Sequence, residues 1–171
     1  EGKVRFAGYS LFHTNVGGAY EGNCLLSDAE IERRLSAYVP VDALFRIQKE
    51  LEKELSVSLG NEYAGYLGVD MMICRSGALP EFRIHPCVEI NLRMNMGLVS
   101  RLIYDRYVQS GASGVFRVSY YPSDGQALQE HNAMKTGHPL HTEDGRVVKG
   151  YLPLVPVLKT SRYRAYILVE D

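Results

Sequence analysis

The feature that most constrains this chain is a pair of β-forming runs, residues 66–74 and 82–92, separated by the loop Arg75-Ser-Gly-Ala-Leu-Pro80. A short loop between two such runs predicts an antiparallel hairpin. Side chains alternate along a strand, so Glu89, Asn91 and Arg93 project from one face while Val88, Ile90 and Leu92 project from the other. Asp70, within Gly68-Val-Asp70 on the first run, is placed beside that polar row. The expected product is a small patch of two carboxylates, one amide oxygen and one guanidinium.

Carboxylate and amide oxygens are hard ligands suited to Mg²⁺, which takes a few of them and completes its octahedron with phosphate oxygens and water. Asp70 and Glu89 held together repel each other, and a bound cation relieves that repulsion. A bridging carboxylate, a second carboxylate and Asn91 are able to hold two ions between polyphosphate oxygens. Arg93 then reaches a transferring phosphoryl group or an anionic substrate. The same alternation also marks any half-exposed strand, and a surface ion pair of Glu89 with Arg93 is its plainest reading.

The rest of the chain supplies the scaffold. Residues 4–14 read as a strand, Asn15-Val-Gly-Gly18 as a turn, and residues 20–26 as a short second strand. Ser27-Asp-Ala-Glu30 fits a capping box, followed by Ile31 and Leu35 at helical spacing. Pro40 separates that helix from a longer one over residues 42–59, whose apolar stripe is Leu44, Ile47, Leu51 and Leu55 and whose stop is Gly60. A third helix starts at Asn95 or Met96, with Val99, Leu102, Ile103 and Arg106 inward, and stops near Gly111. Residues 115–121 alternate like a strand, residues 123–134 form a short capped helix, and Asp144-Gly145 is a turn. Residues 147–158 contain Pro153 and Pro156 and read as an edge strand or irregular segment; residues 163–169 are the last strand. This order predicts an α+β domain with a largely antiparallel sheet flanked by helices.

Composition narrows the function. With 171 residues and a net charge of −1, the chain suits one domain and argues against binding nucleic acid through its phosphates. No apolar run is long enough to cross a bilayer and no signal peptide is visible, which predicts a cytoplasmic protein without membrane partners. Cys24, Cys74 and Cys87 form no C-x-x-C pair and read as small buried side chains in a reducing compartment. A strand this near the first residue suggests an excised piece of a longer protein.

Other candidates are weaker. Gly17 and Gly18 lack a following Lys-Ser or Lys-Thr and read as turn glycines. His131, His138 and His141 read as surface or hydrogen-bonding histidines, not a metal cluster. His85, before Pro86, is close enough in sequence to Glu89 to approach a substrate, although a structural role is the stronger reading. Met71, Met72, Met94 and Met96 read as core filler.

Gly68-Val-Asp70, then Val88-Glu89-Ile90-Asn91-Leu92-Arg93 and Met96-Gly97, resembles the closing signature of the ATP-grasp superfamily. There an acidic residue on one strand precedes an E-x-N, often E-x-N-x-R, on the next, and a glycine-containing turn leads into a helix. The match is strong over residues 42–108 and loose elsewhere. Leu92 stands where many members have proline, which removes no ligand. The resemblance implies the C-terminal, magnesium-binding subdomain of the ATP-grasp fold over residues 1–111, with 112–171 as an extension of the same single domain, 1–171. It implies Asp70, Glu89 and Asn91 as ligands of Mg²⁺, with Mn²⁺ as a substitute and Glu89 as the bridge between two ions. It implies Glu89, Asn91 and Arg93 as the residues that bind the ATP phosphates through Mg²⁺, with Arg93 stabilising the transition state. The implied function is one part of an ATP-dependent ligase that activates a carboxylate substrate as an acylphosphate. The N-terminal nucleotide-binding subdomain, with its lysines, hinge and glycine-rich flap, has no match here, so the chain alone is expected to be inactive. The alternative is a non-catalytic binding module that keeps the fold and forms a homo-oligomer through Tyr120, Tyr121, Tyr151 and the Pro153–Pro156 stretch.

Overall fold

A computed structural model describes residues 2–170. In chain order the elements are β1 (Phe12–Thr14), β2 (Tyr20–Leu25), α1 (Asp28–Leu35), α2 (Val41–Leu59), β3 (Gly68–Arg75), β4 (Phe82–Asn91), α3 (Met96–Tyr107), β5 (Ser113–Tyr120), α4 (Gln126–Gly137), β6 (His141–Glu143), β7 (Arg146–Pro153) and β8 (Tyr163–Glu170). The class is α+β, with all named strand pairs antiparallel. No helix among the described residues is long and apolar enough to cross a membrane.

The chain groups into two compact units: the residues up to Tyr9 with Asp28–Asn95, and Ser10–Ser27 with the chain from Met96 onward. This grouping cuts across a boundary at residue 111. The helix α3 belongs with the later strands because Tyr104 packs with Leu25, Phe116 and Ile167.

The first unit holds α1, α2 and the β3–β4 hairpin. Leu44 and Leu55 of α2 are buried, with Ile47 and Leu51 half-buried between them, as the apolar stripe predicts. The predicted strand over residues 4–14 shrinks to β1. Its earlier backbone amides go to side chains instead of a ladder: Val4 N–H donates to Ser56 Oγ at 2.9 Å, Phe6 N–H to Glu52 Oε1 at 2.8 Å and Tyr9 N–H to Asp28 Oδ1 at 2.9 Å. Polar groups on α1 and α2 thus satisfy backbone donors that a partner strand would otherwise take.

The second unit is a six-stranded sheet in the order β1-β2-β5-β8-β7-β6. Its two edge strands have only three residues each, which limits the exposed ladder available to another chain. One sheet face buries Leu25, Phe116, Ile167 and Val169 against Tyr104 and Val108. The inner side of α3 is therefore Met96, Val99, Ser100, Ile103 and Tyr104; Arg106, expected inward, is exposed. Ser100 is tolerated there because its hydroxyl donates to Gly97 O at 2.8 Å. Residues 147–158 were expected at an edge or irregular, but β7 lies inside the sheet between β8 and β6. Pro153 is its last residue, where a missing N–H costs the ladder least. Asp144 and Gly145, both at positive φ, make the tight turn between β6 and β7.

The other face carries Tyr151, Arg164 and Tyr166, which are buried, and Tyr121 at the end of β5 is buried with them. Tyr121 and Tyr151, expected as contact residues, are therefore withdrawn from the surface. Tyr120, Leu154, Val155, Leu158 and Tyr163 remain exposed.

Candidate functional site

The hairpin register places Gly68 opposite Asn91, Val69 opposite Ile90, and Asp70 directly opposite Glu89. Directly opposed residues share a face, with Cβ atoms about 5 Å apart. Asp70, Glu89 and Asn91 are thus brought to one side of the hairpin, and Val69 and Ile90 to the other. Beyond Asp70 the register shifts: Met72 faces His85 and Cys74 faces Arg83. Pro86, Cys87 and Val88 stand against Met71 alone, so the extra residues bulge from β4 immediately before Glu89. Pro86 has no N–H to donate, which is a local reason for the ladder to break there.

Past the register shift burial distinguishes the faces; at the other end Asp70 and Asn91 are half-buried while Ile90, on the opposite face, is exposed. Val69, Met71, Ile73, Phe82 and Ile84 are half-buried, and the Phe82 ring packs edge-on against Tyr38 with centroids 5.2 Å apart. Met72, Cys74, Arg83, His85 and Glu89, on the side of Asp70, are exposed. The cysteines and two of the methionines depart from the expected burial. Cys74 is exposed and neither Cys24 nor Cys87 is fully buried, so the cysteines are not core filler. Met72 is 51 % exposed and Met94 is 55 % exposed, so they do not fill the core either.

Asp70 is half-buried, and its carboxyl is held above the ordinary aspartate range. Burial is the main cause and the facing Glu89 carboxylate adds to it; Arg93 opposes both. Arg93 follows the last residue of β4. Its backbone N–H donates to Asn91 O at 2.9 Å and its Nη2 donates to Asn91 Oδ1 at 3.1 Å. The guanidinium is thus held by the amide and makes no ion pair with Glu89 among the described residues. Asn91 Oδ1 keeps a second lone pair for a cation. The four residues singled out in the sequence therefore share one neighbourhood, with Arg93 bound to the amide and not to the acid pair.

One neighbour was read only as a lead-in to α3. Asn95 lies against the strand so closely that a Cβ on Gly68 would stand 2.0 Å from its Nδ2. Gly68 points to the same side as Asp70, so a second amide borders the acid pair. A glycine at the start of a strand marks close approach by another group, and that was its signal in the sequence.

Among the described residues there is no group of three or more His, Cys, Asp or Glu side chains able to hold a metal. The hairpin set has two carboxylates and must be completed by amides, water or ligand oxygens. In donor type this fits Mg²⁺, a cation that keeps part of its water. His138 and His141 are exposed, and His131 Nδ1 lies 2.9 Å from the Tyr151 hydroxyl, consistent with hydrogen-bonding roles.

The second unit holds a different charged cluster. Arg164 is 2 % exposed and lies over the Tyr166, Tyr121 and Tyr151 rings at 4.6, 5.5 and 5.7 Å. Its Nη2 donates to Tyr121 Oη at 2.7 Å and to Glu130 Oε2 at 3.2 Å, while Nε and Nη1 have no hydrogen-bond partner among the described residues. Cation–π contact compensates part of the desolvation. Burial pushes the Tyr121 and Tyr151 phenols up, so they stay neutral beside the cation. No family model matches the chain, and neither the curated proteins nor the solved structures compared with it give a match.

Proposed function

We propose that this chain is the magnesium-binding part of an ATP-dependent ligase of the ATP-grasp type, which activates a carboxylate as an acylphosphate. The observation that supports it is the direct opposition of Asp70 and Glu89 on the open face of the hairpin, with Asn91 one step along. Two carboxylates facing each other without a protein cation between them form a site that favours a divalent ion. In this reading Glu89 bridges two Mg²⁺ ions, Asp70 and Asn91 complete the protein ligands, and ATP phosphates and water fill the remaining positions. Bound magnesium neutralises charge on the transferring phosphoryl group. Arg93, already oriented by Asn91, adds a fixed positive charge on the same side. A nucleotide-clasping subdomain and a carboxylate substrate complete the assembly.

The test is a Mn²⁺ titration of the chain followed by electron paramagnetic resonance, with and without ATP. Wild type should remove free Mn²⁺ signal, more so with ATP, and Glu89→Gln should weaken binding at least tenfold with an unchanged fold. Equal Mn²⁺ binding by wild type and Glu89→Gln sinks the proposal.

A second reading is a non-catalytic self-associating module. The exposed apolar residues Leu154, Val155, Leu158 and Tyr163, with Tyr120 against Tyr163 at 5.1 Å, favour it. Light scattering that finds a strict monomer removes it.

A further inference from the structure

The open face of the hairpin carries charge beyond the acid pair, and the charge is sorted along its length. Asp70 and Glu89 stand opposite each other at one end. Past the bulge, on the same face, come His85 opposite Met72 and then Arg83 opposite Cys74. β3 has a single residue between Asp70 and Met72 and another between Met72 and Cys74, so its alternation continues and all three share a face. Arg83 and His85 are exposed, and neither side chain makes a hydrogen bond or an ion pair among the described residues. Arg75, by contrast, is engaged by Glu81 at 2.6 Å and lies over the Phe82 ring. The two basic groups on the open face are thus left without a protein anion, although two carboxylates stand on the same surface.

Resting on the metal-site reading above, we infer that Arg83 and His85 form an anion subsite continuous with the metal site, and that the substrate is a dicarboxylate. One carboxylate lies at the metal end, where it is activated; the second is bound by Arg83 and His85. Strand rise sets the spacing: the His85 pair is about 7 Å and the Arg83 pair about 13 Å from the acid pair. Arg83 offers a planar fork that takes a carboxylate through two parallel hydrogen bonds. Met72, half-exposed between the two ends, gives the methylene chain of such a substrate an apolar surface.

The probes are heptanedioate, whose carboxylates are separated by five methylenes, and heptanoate, which has one carboxylate at the same chain length. Binding to the full chain is followed by NMR titration in saturating Mg²⁺. Paramagnetic broadening of probe protons after Mn²⁺ replacement reports their distance from the metal. Heptanedioate should bind at least tenfold more tightly than heptanoate, with stronger broadening at one end. The double variant Arg83→Gln, His85→Gln should abolish that preference while leaving Mn²⁺ binding unchanged. Equal affinity for the two probes, or a preference that survives the double variant, overturns the inference. Loss of Mn²⁺ binding is read separately from Glu89→Gln, so failure of the metal site is distinguished from failure of the anion subsite.

Discussion

Two concentrations of charge, one in each compact unit, are built on opposite principles. On the hairpin, Asp70 and Glu89 face each other as like charges on an open surface, and burial and mutual repulsion both work against ionisation of Asp70. In the six-stranded unit a lone cation, Arg164, is withdrawn from water and enclosed by three tyrosine rings, with Glu130 as its anion. One arrangement leaves charge unbalanced where a ligand can reach it; the other balances charge where only the fold can use it. On the proposed reading, the difference separates a site for binding from a site for stability. The sharpest way to break the comparison is to remove the enclosed cation. Arg164→Ala leaves a cavity among the rings and deprives Glu130 and the Tyr121 hydroxyl of their partner, and should cost about 3 kcal/mol. Glu89→Ala on the open face should change stability by less than about 0.5 kcal/mol. Urea unfolding of both variants measures the contrast, and similar losses would erase it.

The open pair makes a prediction of opposite sign. A carboxyl whose folded pKa is raised binds its proton more readily in the folded state, so stability falls as pH rises through the window above the ordinary aspartate value. At neutral pH Asp70 is therefore a cost, and Asp70→Asn should stabilise the chain by about 0.5 kcal/mol, the scale of like charges opposed across a strand pair. Below the ordinary aspartate pKa the gain should vanish. Millimolar Mg²⁺ should raise the Tm of wild type more than that of Asp70→Asn, because only the acid pair offers the ion two carboxylates. Scanning calorimetry at two pH values, with and without Mg²⁺, decides the matter. A loss of stability in Asp70→Asn at neutral pH would mean that the pair is balanced by a group other than a ligand.

What the sequence could and could not disclose follows the same division. The hairpin was legible because strand alternation is local: once residues 66–74 and 82–92 are strands, the parity of Glu89, Asn91 and Arg93 follows, and the short connection brings Asp70 within reach. The stripe Leu44, Ile47, Leu51 and Leu55 was legible for the same reason at helical period. The Arg164 enclosure was not, because Tyr121, Tyr151, Arg164 and Tyr166 lie on separate segments that only the sheet order brings together. Tyrosines look alike in sequence whether their hydroxyls meet water or a buried guanidinium. The inward side of α3 was misplaced because Ser100 and Tyr104 are polar by composition yet buried by partners elsewhere in the chain, such as Ala112 O, which accepts from Tyr104 at 3.4 Å. The segment before β1 had the composition of a strand, and nothing in its own residues announced that Ser56, Glu52 and Asp28 would take its amides.

The smallest expected effect tests the margin of the enclosed cluster. His131 on α4 packs edge-on against Tyr151, and its pKa lies below the ordinary histidine value. Burial is the first cause, followed by the positive charges of Lys135 and Arg164. A histidine depressed in the folded state takes up its proton more readily when unfolded, so the unfolded chain gains protons first as pH falls below about 6.5. The contribution of His131 to stability is complete above that value and is lost as acidity increases. His131→Gln keeps a polar side chain near the Tyr151 hydroxyl and removes the titration. Its stability relative to wild type should therefore improve between pH 7 and pH 5 by roughly a few tenths of a kcal/mol, the scale of partly solvated charges. The Asp70 effect lies at lower pH and runs the other way, so the two clusters can be read from one pH series. A wild-type-minus-variant difference that is flat from pH 7 to pH 5 would mean that neither burial nor the positive charges of Lys135 and Arg164 disfavour protonation of His131.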